Sequence, residues 1–384
     1  MKKLSLTTTA LYIALASAAF ADSNSVIVTQ ASVGAGAPSL NFTQSGSGAT
    51  ANIIQNGGNT LTGVQVGTGG TVLNADQENP TAGAANTINY TGRSNSVVTI
   101  NQLANNGIFN AGASVGNTAN VDLQGNLAGT NPNKLTITQV GYNNTATVND
   151  AYAGYAPIPT LIDTTNVIQY SDNANAGNQL QIISNKPSAG ENVNVLQNGG
   201  NKANINIVGG QQGITLTQTN TAKNTASANV ANLRINGAGF TFTQTGTLND
   251  IETNLNGTTT NAGLVGFQNG TGNYANITQN ISYQDGNVGA NVVDQTGNNN
   301  IAVATQTNTH NSKFSIIQNG NANNALINQG GTSNTALIQQ TGNNNQGTIN
   351  QTGTSNTAQI IQATNNNVAT ITQNGTGLTT VIHQ

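Results

Sequence analysis

Seven glutamines, Gln318, Gln329, Gln340, Gln351, Gln362, Gln373 and Gln384, stand eleven residues apart without a slip, and each interval carries the phrase Gln-x-Gly-x-x-Asn-x-Ala-x-Ile-x. Gln329, Gly331, Asn334, Ala336 and Ile338 spell it, and Gln351, Gly353, Asn356, Ala358 and Ile360 repeat it. The glycine returns as Gly320, Gly342 and Gly375, and the asparagine as Asn300, Asn323, Asn345 and Asn367. The series extends back through Gln284, Gln295 and Gln306, with one twelve-residue step before Gln318. A fixed period this short implies stacked β-structure.

Within each phrase the Asn, Ala, Ile and following Gln are two residues apart, so an extended chain projects all four to one face. That face is expected to point inward. The residues between, such as Asn319 to Ala322 around Gly320, supply the glycine and asparagine that tolerate a chain reversal. Eleven residues therefore make one strand and one turn, and two halves make a β-arch of about 22 residues. The fold class expected is all-β: a β-solenoid of stacked arches, with inserted loops in its N-terminal half. Stacking at about 4.8 Å places identical residues above one another. Asn and Gln amides can then bond along the stack as ladders, which removes the cost of about 1–3 kcal/mol for each unsatisfied buried polar group.

Composition fits such an interior. Asn and Gln form about a quarter of the 384 residues, Gly adds 45, Trp and Cys are absent, and aromatics are 4%. Charged residues are 5%, and none occurs from Phe314 to Gln384, where His383 is the one titratable side chain. In a stack a charge tends to be repeated close to itself, so its absence suits tight self-stacking. Beyond the first 21 residues, seven basic residues face twelve acidic ones without a basic cluster, which argues against nucleic acid as a partner. The lack of cysteine excludes disulfides and thiolate metal sites.

Residues 1–21 have the pattern of a secretory signal peptide. Lys2 and Lys3 precede the apolar run Ala10 to Phe20, and Ala19-Phe20-Ala21 is a small-x-small cleavage site, so the exported chain is expected to begin at Asp22. The apolar run is shorter than the ~20 residues of a membrane span, and no later segment qualifies. A Gram-negative bacterium is the expected source, with the product secreted or at the cell surface. Residues 22–43 form an N-terminal segment whose strand-like Ser25 to Gln30 could be recognised by an outer-membrane secretion partner or could simply be the first rung. Residues 44–267 carry degenerate phrases, at Gln44, Gln139, Gln197 and Gln244, and residues 268–384 carry regular ones. Intervals of 21, 26 and 24 residues between Gln197, Gln218, Gln244 and Gln268 approximate one whole arch. All six prolines lie before Ser188, and the stretches 74–86, 126–133, 149–160 and 184–192 are expected to be excursions from the stack. The competing reading of those stretches is disordered low-complexity chain.

The phrase carried by Gln318, Gly320, Asn323, Ala325 and Gln329 resembles the curlin repeat, the unit of bacterial curli fibre subunits. The similarity is strong over 284–384 and patchy over 44–279. It implies a secreted subunit that polymerises with copies of itself into functional amyloid for adhesion and biofilm matrix, with a secretion channel and a nucleator as partners. Two departures stand out. The position six before each Gln, often Ser in curlins, is usually Asn here (Asn323, Asn334, Asn345) although Ser312 keeps it, and the chain is longer. A nucleator or accessory fibre protein therefore stays open beside a main subunit. Independently, the last strand is expected to act as a template for a further chain.

The chain carries little recognisable catalytic chemistry. Asp250 with Glu252, and Asp285 with Asp294, are the best acidic groupings, and charges that temper aggregation explain them better than a paired acid and base. His310 and His383 stand alone, and no nucleophile elbow or phosphate loop occurs. No enzyme activity, metal or cofactor is implied. A monomeric surface adhesin with a flat glycan-binding face is the rival reading. Against it, the expected outward residues Asn324, Leu326 and Asn328, or Thr335, Leu337 and Gln339, form no array of one type, and no threonine array is evident.

Overall fold

Buried and exposed residues alternate along nearly every strand of the computed structural model, and the chain winds these strands into two parallel sheets. The structure describes residues 24–31, 37–68, 70–79, 85–92, 96–103, 116–122, 133–149, 164–171, 177–184, 192–207, 213–236, 239–257, 263–283 and 290–384. Residues 1–23, with the expected signal peptide, lie outside them, as do Gln284, Asp285 and every proline except Pro38.

Odd-numbered strands form a sheet of 15. They are β1 (Ser25–Ala31), β3 (Thr50–Asn56), β5 (Val72–Glu78), β7 (Ser96–Leu103), β9 (Asn133–Gly141), β11 (Thr164–Ser171), β13 (Asn192–Asn198) and β15 (Ile214–Asn220). Then follow β17 (Phe240–Thr247), β19 (Leu264–Thr271), β21 (Asn291–Asn298), β23 (Lys313–Asn319), β25 (Thr335–Thr341), β27 (Thr357–Gln362) and β29 (Thr379–His383). Even-numbered strands form the facing sheet of 14. They are β2 (Ser39–Ser47), β4 (Thr60–Thr68), β6 (Thr87–Gly92), β8 (Thr118–Asp122), β10 (Thr145–Val148), β12 (Gln179–Ser184) and β14 (Lys202–Ile207). The rest are β16 (Val230–Asn236), β18 (Asp250–Gly257), β20 (Tyr274–Tyr283), β22 (Ile301–His310), β24 (Asn324–Thr332), β26 (Gln346–Thr354) and β28 (Val368–Thr376). Each strand pairs with the strand two before it and two after it, which is the topology of a β-solenoid.

The regular rungs have the expected 22-residue turn, as in Gln318, Gln340, Gln362 and Gln384. Earlier turns depart from it: 21 residues separate Gln197 from Gln218, and 37 separate Gln102 from Gln139. The register nevertheless survives, because Gln102 still lies opposite Gln139 and Ile100 opposite Ile137. Additional residues are accommodated between strands and do not shift the sheets. One expected excursion is corrected: residues 74–78, at the start of the stretch 74–86, belong to β5.

Ala and Ile of the phrase fill the space between the sheets, as Ala325, Ile327, Ala336 and Ile338 are all buried. Where a ring intrudes, the next rung yields space. Gly63 lies over the Phe42 ring and Gly266 over the Phe242 ring, positions where a Cβ would collide with the aromatic carbons. Such compensation keeps a narrow core at interior density while its sequence varies.

Candidate functional site: the polar ladders

One glutamine column runs the length of the odd-numbered sheet. Gln30, Gln55, Gln77, Gln102, Gln139, Gln169, Gln197, Gln218, Gln244, Gln268, Gln295, Gln318, Gln340, Gln362 and Gln384 each stand over the next. Every Nε2 donates to the Oε1 of its successor, at 2.7–3.0 Å. Most of them also donate to a main-chain carbonyl at the opposite sheet, as Gln318 does to Ile301 (2.8 Å) and Gln340 to Asn324 (3.0 Å). A neutral side chain with two donors and an acceptor is thereby satisfied inside the stack, with no charge to repeat.

An asparagine column accompanies it along the edge that joins each odd strand to the following even one. It comprises Asn59, Asn86, Asn117, Asn144, Asn178, Asn201, Asn229, Asn249, Asn273, Asn300, Asn323, Asn345 and Asn367. Each Oδ1 accepts a hydrogen bond from the next member at 2.9–3.2 Å, through the backbone N–H throughout except at Asn229, which uses its side-chain amide. The asparagine thus holds the entry of the next strand at the height of the rung above.

The opposite edge is less regular. Gln306, Gln329, Gln351 and Gln373 form a second ladder with Gln279 at its head, bonded at 2.8–3.0 Å. Below Gln279 the same position is taken by Leu255, Ile235 and Ile207. The Gln279 Oε1 is consequently buried without a hydrogen-bond partner. A separate pair, Gln44 and Gln65 (3.0 Å), faces Gly92 on its far side. Asn334 and Asn356 occupy the cap positions of this edge: Asn334 N–H donates to Ser312 Oγ (3.1 Å), and Asn356 N–H to Asn334 Oδ1 (3.0 Å).

The glycines of the phrase are fixed by backbone geometry. Gly320, Gly331, Gly342, Gly353 and Gly375 all have φ between 94° and 151°, a region unfavourable to residues with a Cβ. A Cβ on Gly320 would also strike the carbonyl of Gly342 in the next rung, and one on Gly331 that of Gly353. A second left-handed position, two residues later, has no sequence signature. Ala322, Ser333, Asn344, Ser355 and Asn366 adopt φ of 55–62° immediately before the cap asparagine.

The sequence-derived positions from Gln295 to Gln384 thus divide between the two ladders. Gln284 lies outside the described residues, and the rung paired with Gln306 is held by Gln279. Gln55 and Gln77 keep the count from Gln44, at eleven and then twenty-two residues, whereas Gln30, Gln102 and Gln169 escape it; the shorter signal apolar-x-apolar-x-Gln, as in Val98-Thr99-Ile100-Asn101-Gln102, identifies Gln30 and Gln102, and Gln169 keeps only its second half, Val167. The outer faces hold threonine arrays that spacing alone does not reveal: Thr60, Thr87, Thr118 and Thr145 align on four rungs, Thr335, Thr357 and Thr379 on three, and Thr215, Thr217 and Thr219 lie beside Thr241, Thr243 and Thr245 on two. His310 ends β22 and His383 ends β29. Among the described residues, no group of three or more His, Cys, Asp or Glu could hold a metal ion, and no helix is long and apolar enough to cross a membrane.

Burial raises the carboxyl pKa of Asp250 to about 6, with the nearby Glu252 charge adding to it. Burial likewise raises Asp294, and raises Asp76 with help from Glu78. These acids sit on a fold that gives them little compensation. Asp250 Oδ1 and Asp76 Oδ1 are buried without partners.

Two parallel sheets joined through Asn and Gln columns define a β-arch solenoid. The chain contains the curlin associated repeat, matched over residues 309–342 and again over 342–375. No curated protein matches the chain.

Proposed function

We propose that this chain is a structural subunit that assembles with copies of itself into an extracellular, curli-like amyloid fibre serving matrix and adhesion. The observation that carries the reading is the unbroken glutamine column from Gln30 to Gln384, in which every rung offers its successor the same donors and acceptors. Its geometry is translational, so a rung from a second copy meets the same contacts as an internal one. Among the described residues, β28 and β29 at one end and β1 and β2 at the other pair with a strand on one side only. Open edges of parallel strands are templates for another chain.

The curlin associated repeat at 309–375 supports the same assignment, and the proposal includes export across an outer membrane with a secretion channel and a nucleating partner. Residues 1–21 fit the leader such a route requires, and the β1 segment is the candidate for recognition by the channel. A catalytic role is not proposed: the acids Asp250 and Glu252 lie on an outer face, with Lys202 two strands away from Asp250 in the same row.

Purified residues 22–384, freed of denaturant, test the proposal by electron microscopy and sedimentation. Fibrils that seed fresh chain without a lag are expected. A β-rich species that stays monomeric at high concentration overturns the fibre reading and points to a solitary surface adhesin.

A further inference from the structure

The outer face of the even-numbered sheet carries a polar row across four adjacent rungs, β14, β16, β18 and β20, which continues on the β12 side as Gln181. Asn204, Asn232, Glu252 and Asn276 stand in one row across these strands. Asn206, Arg234 and Asn254 make a parallel row two residues further along. Between the rows lies an open groove of about 330 Å³, floored by the strand segments at Leu233 and Thr253. Further along the sheet the first row continues as Val303, Leu326, Thr348 and Thr370, which carry no charge and no amide. The stacking of the solenoid does not require the polar rows, because the inward residues of these strands, Ala203, Ile205, Ala231, Leu233, Ile251 and Ala275, already form the core.

The groove's chemistry restricts its ligand. It lies on a sheet face, where the flanking strands engage the main-chain N–H and C=O groups, so an extended peptide has no edge to pair with. Amides, a guanidinium and a carboxylate line it, while most of the surface they turn to the groove is carbon, a mixture suited to the hydroxyl edges and C–H faces of sugar rings. Lys202 and Arg234 are balanced by Asp250 and Glu252 on the same face, so the patch has no net formal charge to attract a polyanion or polycation. Tyr274 Oη (2.9 Å) and Asn276 Nδ2 (3.3 Å) both donate to Glu252 Oε2, which orients the carboxylate and leaves Oε1 for a ligand. Arg234 is exposed and adds a fork of donors. A ligand dense in hydroxyls, each both donor and acceptor, matches that set.

We infer that this groove binds a neutral polysaccharide strand lying along the solenoid axis. Three strand intervals give it a length of about 14 Å, room for a few linked sugar rings. The amides of Asn204, Asn232 and Asn254 read hydroxyls, Glu252 Oε1 accepts from them and Arg234 donates to them. The groove is on the flank of the solenoid, away from its open strand edges, so it is present whether or not copies assemble. In a fibre it would recur once per subunit, and weak single sites would sum by multivalency.

Isothermal titration of the soluble chain with cellohexaose, laminarihexaose, maltohexaose and mannohexaose, and with hexagalacturonate as an acidic probe, tests this. Saturable binding of at least one neutral hexasaccharide is expected, weakened at least about tenfold by Arg234→Ala and by Glu252→Gln, and unchanged by Asn166→Ala on the opposite sheet. Glu252→Gln preserves size and can keep the Tyr274 bond, so it reads the site even where Arg234→Ala disturbs folding. Absence of saturable binding, a preference for hexagalacturonate, or affinities indifferent to both substitutions overturns the inference. The titration uses unassembled chain, so its outcome is independent of whether the chain polymerises.

Discussion

Replacing a ladder glutamine by leucine should be costly in the unbroken column and nearly free at the head of the broken one. Gln340 is fully buried, accepts from Gln318 Nε2 (2.9 Å), and donates to Gln362 Oε1 (2.9 Å) and to Asn324 O (3.0 Å). Gln340→Leu leaves Gln362 Oε1 without its ladder donor in a buried site, and Gln318 Nε2 with only its bond to Ile301 O. One orphaned acceptor and one weakened donor amount to about 2–4 kcal/mol. Gln279→Leu is different. Its Oε1 is already orphaned, the residue below it is Leu255, and the Gln306 Oε1 it serves keeps a second donor in Asn291 Nδ2 at 3.1 Å. The substitution removes a desolvated acceptor and extends an apolar column, so its net effect should lie within about 1 kcal/mol of zero. Because a solenoid unfolds by neighbouring units and not as one body, the readout is amide hydrogen exchange of the soluble chain, resolved by peptide. Protection in β23–β27 should fall by roughly thirtyfold or more for Gln340→Leu, the equivalent of about 2 kcal/mol, while β20–β22 in Gln279→Leu should exchange almost as the parent does. Equal losses at both sites would refute the claim that ladder continuity, and not glutamine burial as such, carries the stability.

Further outcomes follow from the turns and the acids. Ala322, at φ 56°, should accept glycine with a gain of up to about 1 kcal/mol, whereas Gly320→Ala, which meets the Gly342 carbonyl, should destabilise its rung by several kcal/mol; denaturant dissolution of the two variants compares them directly. Asp250 has its folded pKa raised to about 6 from 3.8, so its contribution favours the fold fully below pH 3.8 and is lost as pH rises through 6. With the carboxyl partly exposed the loss is of order 1 kcal/mol, and Asp250→Asn should abolish that part of the pH dependence between pH 4 and 7 in melting experiments. Ser312→Asn should restore the cap column of the second edge, since Asn334 N–H now rests on Ser312 Oγ, and should raise protection at Asn334.

Much of the interior was legible because strands project alternate residues to opposite faces. Asn323, Ala325, Ile327 and Gln329 share one face by spacing alone, and all four are buried. The limits were set by the connections. Residues inserted between strands cost little when the ends of the loop are already held by the sheets, so the separation of rungs drifts while the register does not, and Gln77 over Gln102 or Gln139 over Gln169 cannot be found by counting. Counting also placed Gln284 eleven residues before Gln295, where the sheet instead uses Gln279 opposite Gln306. The left-handed conformation of Ala322 and Leu248 was hidden for another reason: the rung pattern imposes it on residues with no preference for it. The sugar-groove residues were hidden because Asn204, Asn232, Glu252 and Asn276 are 20–28 residues apart, and only the register brings them into a row.

X-ray diffraction from aligned fibres of residues 22–384 bears most directly on the account, which holds that copies stack through the same rungs that build each chain. A meridional reflection near 4.7–4.8 Å with an equatorial one near 10 Å is the expected result. A preparation that yields no aligned assembly, or fibres whose meridian lacks that spacing, would contradict it.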